Sequence, residues 1–211
     1  MTVTLDVTDR VARITLDRPA KRNAVTGRMW TTLRRHLDAL EDRDVVAVVL
    51  GGAGGSFSAG ADLDELRIPD PEHVGGIQEL AESTVLRLRD LAPPTLAVVD
   101  GPCLGAGASL ALACDLRICT PRSRFAIPSL RHGIVYEPVH VQRLLQVVRP
   151  GSAALLLYGG ETWDGDAAAR HGLVDRCTDD LQAAVEPILA GLRTAPRHAV
   201  LATAATLRAG G

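Results

Sequence analysis

Two stretches of small residues constrain the fold of this sequence more than any other feature, because each lies between an apolar run and a predicted helix. They are residues 55–66 (GSFSAGADLDEL) and residues 98–110 (VVDGPCLGAGASL). The first amides of a helix have no intrahelical partner, so each junction leaves backbone N–H groups free. If the N–H groups of Ala61 and Ala106 converge on one point, they form an oxyanion hole, which stabilises negative charge on a reacting oxygen. The alternative is that the small residues serve only tight packing of a helix on a sheet; the presence of both stretches, in this order, favours the site.

The rest of the sequence alternates apolar strands with helical patterns, which is typical of an α/β fold. Continuous apolar runs such as residues 45–50 are typical of strands that are covered on both faces. An apolar stripe that contains Met29, Trp30 and Leu33 predicts a helix. Together the patterns predict an opening hairpin over 3–16, a loop over 18–24, a helix over 29–40, buried strands over 45–50, 95–99 and 116–119, helices over 77–91, 105–113 and 138–147, a loop or short strand over 125–134, and a mainly helical region from 151 onward.

The charge and composition of the chain exclude several classes of function. The formal net charge is -2, so neither nucleic acid nor an anionic membrane is an expected partner. The first residues lack a basic segment followed by an apolar run, and no stretch reaches the roughly 20 apolar residues of a membrane span, so we expect a soluble, cytoplasmic protein. The four cysteines show no C-x-x-C spacing, which predicts buried free thiols. The histidines show no metal-binding spacing, so no metal is expected.

Short motifs spread along nearly the whole chain resemble those of the crotonase (enoyl-CoA hydratase/isomerase) superfamily. They are DRP at 17–19, RNA at 22–24, FSAGAD at 57–62, DG at 100–101, LGAG at 104–107, CDL at 114–116 and GLVD at 172–175. The resemblance implies an α/β, crotonase-like ββα spiral fold in a single domain of residues 1–211, with a spiral core up to about 150 and a helical C-terminal part beyond it. Relatives usually continue for further helical turns, so the fold is expected to be shortened at the C-terminus. The resemblance also implies a homotrimer or a dimer of trimers.

The same resemblance assigns functions to the two stretches and to the loop before them. Crotonase-like enzymes bind acyl-CoA and hold its thioester oxygen with N–H groups at the positions of Ala61 and Ala106. They hold the nucleotide near residues 21–24, so Lys21 and Arg22 are expected to pair with the CoA phosphates, since cations pair with phosphate oxygens. Coenzyme A enters as part of the substrate, and no other cofactor is implied. Further substrate-binding residues are expected at Ala24, Ala59, Asp62, Leu63 and Gly105.

Two positions depart from the pattern of the hydratases in this superfamily. Those enzymes carry two glutamates that handle water, and the matching positions here are Ser109 and Ser129. A serine hydroxyl cannot act as a general acid or base at neutral pH. Hydration by two carboxylates at those positions is therefore not expected, although both serines still belong to the predicted substrate site.

A carboxylate is present instead at Glu137, which matches the catalytic acid of Δ3,Δ2-enoyl-CoA and dienoyl-CoA isomerases and the nucleophilic aspartate of aryl-CoA dehalogenases. Its neighbours in residues 134–139 (IVYEPV) are apolar, which favours catalysis over the alternative of a helix-capping glutamate that faces solvent. Tyr136 matches a tyrosine of related decarboxylases, but the histidine that those enzymes also use falls on Ala61. His140 follows Glu137 in the next helical turn and is either a surface residue or a group that orients the carboxylate.

The sequence therefore predicts an enzyme that shifts a double bond in an acyl thioester carried by CoA or by an acyl carrier protein. Glu137 removes a proton next to the carbonyl, the N–H groups of Ala61 and Ala106 hold the enolate, and the proton returns at a remote carbon. Three alternatives remain open. They are a hydratase that uses Glu137 alone, a decarboxylase or hydrolase, and a non-catalytic crotonase-like partner of a biosynthetic enzyme.

Overall fold

The fold is a parallel sheet that begins with an antiparallel hairpin. The computed structural model describes residues 3–210. The strands, in chain order, are β1 (Val3–Thr8), β2 (Val11–Leu16), β3 (Ala47–Gly52), β4 (Thr95–Val99), β5 (Pro102–Leu104), β6 (Leu116–Cys119), β7 (Arg124–Ala126), β8 (Trp163–Asp164) and β9 (Arg176–Cys177). The six-stranded sheet has the order β1-β2-β3-β4-β6-β9, and a three-stranded sheet has the order β5-β7-β8. The predicted hairpin is confirmed by the antiparallel pairing of β1 with β2, and the remaining neighbours in the large sheet are parallel.

Helices follow most strands, as the alternating pattern predicts. They are α1 (Gly27–Asp38), α2 (Leu63–Leu66), α3 (Pro71–Arg89), α4 (Ala106–Ala113), α5 (Pro138–Val147), α6 (Pro150–Leu157), α7 (Gly165–Arg170), α8 (Leu181–Thr194) and α9 (Arg197–Ala209), with short 3-10 turns at Pro19–Lys21 and Ser129–His132. The apolar stripe of α1 is buried, and Trp30 and Phe57 are among the largest side chains of the core. The residues between the strands thus cover the sheet and leave the loops after β3 and β4 to form the site.

Helix α3 starts earlier than the sequence pattern indicates. The prediction placed its beginning near residue 77, whereas the structure places it at Pro71. Asp70 explains the difference, because its carboxylate accepts hydrogen bonds from the N–H groups of Glu72 and His73, each at 3.1 Å. The next residue, Pro71, lacks the N–H that would be unpaired there. The glycines at 75 and 76 hide this first part of the helix from a propensity-based prediction.

The prediction of a mainly helical region from residue 151 needs a correction, because two short strands interrupt it. Strand β8 pairs with β7, and β9 extends the large sheet beside β6. Each has only two residues, which is too short to show the alternation typical of a strand. Buried Arg117 joins β6 to this region by donating to the carbonyl of Leu173 at 2.8 Å and to the carboxylate of Asp175 at 3.1 Å.

The division into one domain stays a prediction, and residues 1, 2 and 211 of its stated range lie outside the described residues.

Cys103, Cys114 and Cys119 are buried free thiols, as predicted, while Cys177 is a free thiol that is half-buried. Burial raises the pKa of Cys103 and raises the pKa of Cys114 to about 12, which keeps both thiols protonated. Within residues 3–210, no helix is long and apolar enough to cross a membrane.

Candidate active site

The two small-residue stretches lie side by side. The N–H of Ser58 donates to the carbonyl of Pro102 at 2.8 Å, and the N–H of Leu104 donates to the carbonyl of Ser58 at 2.9 Å. Gly107, in the first turn of α4, packs so closely that an added Cβ would lie 2.8 Å from the Cβ of Ser58. Only glycine fits such an approach. The start of α4 is therefore held against the turn that precedes α2.

Gly60 sets the direction of the first turn. Its φ angle is +100°, a conformation that L side chains rarely adopt. A Cβ at this position would lie 2.9 Å from the carbonyl oxygen of Leu104 and 3.8 Å from the backbone nitrogen of Ala106. Ala61 directly follows Gly60 in the chain, so its backbone is adjacent to that of Ala106.

The N–H groups of Ala61 and Ala106 are both free to bind a ligand. Val25 donates to the carbonyl of Gly60 at 2.8 Å, and Asp62 donates to the carbonyl of Val25 at 3.0 Å. The N–H of Ala61, between these two bonds, has no acceptor in the part of the chain that the structure describes. Ala106 is the first residue of α4, where an N–H has no intrahelical partner, and it too has no other acceptor among residues 3–210. This is the arrangement that an oxyanion hole requires.

Both alanines line a cavity of about 180 Å³. Its wall contains ten of the residues that the sequence predicts for the site, namely Ala59, Ala61, Leu63, Gly105, Ala106, Ser109, Ser129, Tyr136, Glu137 and His140. Helix α3 supplies a further part of the wall that the sequence analysis missed, with Ile77, Gln78, Ala81 and Glu82. The sequence of this helix contains no motif that would have identified these residues.

Lys21, Arg22 and Ala24 do not line the cavity. Lys21 and Arg22 are exposed, and the Nζ of Lys21 lies 3.4 Å from the carboxylate of Asp64, also exposed. The carbonyl of Arg22 accepts a hydrogen bond from the N–H of Ala59 at 2.8 Å, so the loop is attached to the first small-residue stretch. The backbone of this loop is thus held next to the first small-residue stretch, while the side chains of both cations are in solvent.

Asn23, in the same loop, is a residue that the sequence analysis did not single out. It is fully buried, and its amide donates to the carbonyls of Ala53 at 2.9 Å and Ser56 at 2.6 Å. Its side-chain oxygen accepts from the N–H of Arg18 at 2.8 Å. Asn23 therefore fixes the loop against the segment that leads into the oxyanion turn.

Asp62 also lies outside the cavity lining. Its buried carboxylate accepts from the guanidinium of Arg18 at 2.5 Å and from the N–H of Asp64 at 2.9 Å, where it caps α2. Burial pushes the pKa of Asp62 upward, but the bonds from Arg18 and Asp64 outweigh it and hold the pKa below its usual value. Both carboxylate oxygens are engaged within the fold, so the structure gives Asp62 a role in shaping the turn instead of the predicted contact with substrate.

Glu137 stands at the start of α5 and lines the cavity. Its backbone carbonyl accepts from the N–H groups of His140 at 2.9 Å and Val141 at 3.1 Å. Its side chain is half-buried and makes no capping hydrogen bond to the helix. Across the described residues the carboxylate has no hydrogen-bond or ion-pair partner, which leaves both oxygens available to a ligand. Of the alternative interpretation, the capping contact is absent from the described structure.

Ser109 and Tyr136 form a neutral pair beside Glu137. Their hydroxyl oxygens are 2.7 Å apart, and the ring of Tyr136 lies 5.4 Å from that of His140 between centroids. Burial raises the pKa of Tyr136 and lowers the pKa of His140, so both side chains are uncharged at neutral pH. His140 is half-buried and lines the cavity, so it is not a fully exposed histidine. Ser129 lies half-buried in the 3-10 turn after β7.

A spiral of parallel strands, with two free N–H groups above a mainly apolar cavity, defines the class of crotonase-fold enzymes that bind acyl thioesters. The sequence model of the Enoyl-CoA hydratase/isomerase family matches residues 6–209. The chain is 40% identical to "Probable enoyl-CoA hydratase EchA14" of Mycobacterium tuberculosis, over 98% of this chain and 81% of that protein. It is 33% identical to 4-chlorobenzoyl coenzyme A dehalogenase-1 of Arthrobacter sp, over 93% of this chain and 74% of that protein.

Solved structures agree with these sequence relationships. An enoyl-CoA hydratase/carnithine racemase from Magnetospirillum magneticum superimposes with a TM-score of 0.93 at 26% identity, covering 99% of this chain and 80% of that one. The chain belongs to the enoyl-CoA hydratase/isomerase family of acyl-CoA enzymes.

Proposed function

We propose that this protein is an isomerase that shifts a carbon–carbon double bond in an acyl-CoA, with Glu137 as the base. The observation that carries the proposal is the carboxylate of Glu137, which lines the same cavity as the N–H groups of Ala61 and Ala106 and has no partner elsewhere in residues 3–210. The positions that match the two glutamates of hydratases hold Ser109 and Ser129, and the hydroxyl of Ser109 contacts Tyr136.

The geometry supports the following reaction. The thioester oxygen accepts hydrogen bonds from the N–H groups of Ala61 and Ala106, while Glu137 takes the proton from the adjacent α-carbon. Charge then moves onto the oxygen, where two donors held by the fold stabilise it without reorganisation. A proton added at the γ-carbon completes the shift and leaves the double bond conjugated with the carbonyl.

The cavity and its rim support a CoA thioester of a short acyl group. A volume of about 180 Å³, with apolar side chains such as Leu66, Ile134 and Val135 in the wall, suits a short apolar chain. Lys21 and Arg22 stand exposed on the loop attached to the oxyanion turn, where their charges suit the CoA phosphates. Assembly as a homotrimer or a dimer of trimers stays a prediction, which light scattering of the purified protein tests.

Hydration is the second candidate function, because the names of several relatives describe enoyl-CoA hydratases. The two functions give different products. Incubation with a 3-enoyl-CoA is expected to yield its 2-enoyl isomer at unchanged mass, detected by liquid chromatography and mass spectrometry. A 2-enoyl-CoA that gains one water while the 3-enoyl-CoA stays unchanged would replace isomerase by hydratase. Release of carbon dioxide would indicate decarboxylase activity, and release of free CoA would indicate hydrolase activity.

Binding is tested separately from turnover. Calorimetry with several acyl-CoAs is expected to show heat, with a matching rise in melting temperature. Protein that shows neither effect with any acyl-CoA would contradict the CoA site and favour the carrier-protein or non-catalytic alternatives.

A further inference from the structure

We propose that Glu82 is a second catalytic residue of this cavity, which donates a proton to the γ-carbon after Glu137 has removed one from the α-carbon. The proposal rests on the double-bond shift proposed above and assigns its second proton transfer. Glu82 belongs to none of the motifs that link the chain to its family; its position in the folded structure alone draws attention to it.

Helix α3 turns Glu82 toward the reacting part of the cavity. Glu82 lines the main cavity, and Val85 and Leu86, three and four residues later on the same helical face, line a small adjoining pocket together with Ser109 and His140. Ser109 and His140 line both cavities, and Glu82 precedes Val85 by one helical turn, so Glu82 belongs to the part of the wall near these two residues. This helix therefore brings a carboxylate to the region in which α4 has only a serine.

Glu82 makes no contact that would give its carboxylate a structural role in the described part of the chain. The side chain is half-buried and has no hydrogen-bond or ion-pair partner in the described part of the chain. By contrast, Asp38 and Glu41 both pair with Arg87, which also lies on α3. A carboxylate that lines a mainly apolar cavity and is not engaged inside the fold is available to a ligand.

Glu82 and Glu137 enter the cavity from different elements, α3 and the start of α5. A double-bond shift requires a proton to leave one carbon and another to arrive two carbons away. A single carboxylate has to move between these positions, whereas two carboxyl groups on separate walls each serve one carbon. The preorganised arrangement avoids that movement during the reaction.

The step balances without any other reactant. The carboxylate of Glu137 takes the α-proton, and the electron pair of the broken C–H bond forms the enolate, whose charge lies on the thioester oxygen. When the carbonyl re-forms, this pair becomes the new double bond between the α- and β-carbons. The pair of the original double bond then takes a proton at the γ-carbon from the carboxylic acid form of Glu82, which becomes a carboxylate. Loss of a proton from Glu137 to water and uptake of one by Glu82 restore the starting state.

Glu79 provides a matched control for a test of Glu82. It lies on the same helix, is exposed, and does not line the cavity, so Glu79→Gln removes the same charge without touching the site. Each variant is assayed for conversion of a 3-enoyl-CoA and for deuterium uptake at the α-carbon in heavy water. We expect Glu82→Gln to lower conversion about 10²–10⁴-fold while α-exchange continues, since general acids contribute about that much. Glu79→Gln is expected to match the wild type in both assays.

The remaining outcomes separate this proposal from the one it rests on. If Glu82→Gln converts substrate as fast as the wild type, Glu82 is not the donor and the isomerase proposal stands. If Glu82→Gln loses α-exchange together with conversion, or changes only KM, the donor assignment is overturned in favour of a binding role. A wild type that neither converts nor exchanges any acyl-CoA overturns both. If Glu82→Gln does not fold, Glu82→Asp is used, and it must show the same selective loss of conversion.

Discussion

The backbone side and the side-chain side of the cavity are built in different ways. On the backbone side, glycines and main-chain hydrogen bonds fix the N–H groups of Ala61 and Ala106, and Gly60 has no room for even a methyl group. On the other side, Glu137 and Glu82 project from α5 and α3 without hydrogen bonds in the described structure. In the proposed reaction, the fold therefore determines where charge is stabilised, and replaceable side chains determine where protons move.

This difference explains how one fold supports several reactions. The chain has the same fold as proteins whose names describe hydratases, and it is 33% identical to one named as a dehalogenase. Each of these activities, as named, acts on a CoA thioester, but they differ in the atoms that are added or removed. Function therefore depends on the side chains around the hole, and not on the fold that creates it.

Replacing Gly60 by alanine is expected to have the largest effect on the backbone side. The new Cβ would lie 2.9 Å from the carbonyl oxygen of Leu104 and must displace one of the two stretches. Loss of a single oxyanion donor lowers kcat by about 10²–10³-fold, and a displaced turn affects both donors. Steady-state kinetics of Gly60→Ala should therefore show at least that loss.

Gly76→Ala serves as the control for this substitution. Gly76 lies inside α3, and an added Cβ would have no atom within 4 Å. Alanine in a helix interior is more favourable than glycine by about 1 kcal/mol, so this variant should be slightly more stable, with unchanged turnover. Unimpaired turnover in Gly60→Ala would show that the hole is not rigid, and the comparison between the two sides would fail.

A smaller effect is expected for Ser109 and Ser129 on the side-chain side. Ser109→Ala leaves the hydroxyl of Tyr136 without its partner, which should lower the free energy of unfolding by about 1 kcal/mol in denaturant titrations. The double variant Ser109→Ala/Tyr136→Phe removes both polar groups and should recover most of that loss. Turnover in Ser109→Ala and in Ser129→Ala should fall by less than about 10-fold. A loss of about 10²-fold or more would place acid–base chemistry on a serine and contradict the role of Glu137.

The smallest predicted effect concerns the pH dependence of stability. Burial lowers the pKa of His140 in the folded protein, while the unfolded chain keeps the ordinary value of about 6.5. Between these two values the unfolded state binds more protons, so the contribution of His140 to stability is complete above a pH of about 6.5 and falls as the pH drops through the folded pKa. Lowering the pH from about 7 to about 5 should therefore reduce the melting temperature of the wild type more than that of His140→Gln. Equal slopes would show that His140 is solvated in the folded state.

Those parts of the fold that have a long repeating pattern were predictable from the sequence. The buried run at residues 45–50 and the Pro138 start of α5 are found as predicted, although β3 begins at Ala47 and continues to Gly52. Strands β8 and β9 were not predictable, because two residues are too few to show the alternation of a strand. Their pairing depends on residues that are distant in the sequence. Asp70 and Pro71 form a local helix-start signal, but the two glycines that follow at 75 and 76 weaken the helical pattern there.

The site was predictable to a different degree on its two sides. The stretches around Ala61 and Ala106 contain glycines that the turn and the close backbone approach require. The local sequence was therefore enough to predict the oxyanion site. The packing of α3 over the cavity depends on tertiary contacts, so Glu82 escaped a search based on motifs. The pairing of Asp62 with Arg18 is likewise a property of the folded loop, and a motif alone suggested a substrate contact instead.

Exchange of the α-proton of a bound acyl thioester with heavy water tests most directly whether Glu137 is the base that works with the backbone hole. The measurement needs no knowledge of the product, and glutamine keeps the shape of glutamate but cannot accept the proton. The wild type is expected to incorporate deuterium, and Glu137→Gln to do so about 10²–10⁴-fold more slowly, with acyl-CoA binding and melting temperature nearly unchanged. Equally fast exchange in the wild type and in Glu137→Gln would show that Glu137 only begins a helix, and would contradict the central claim.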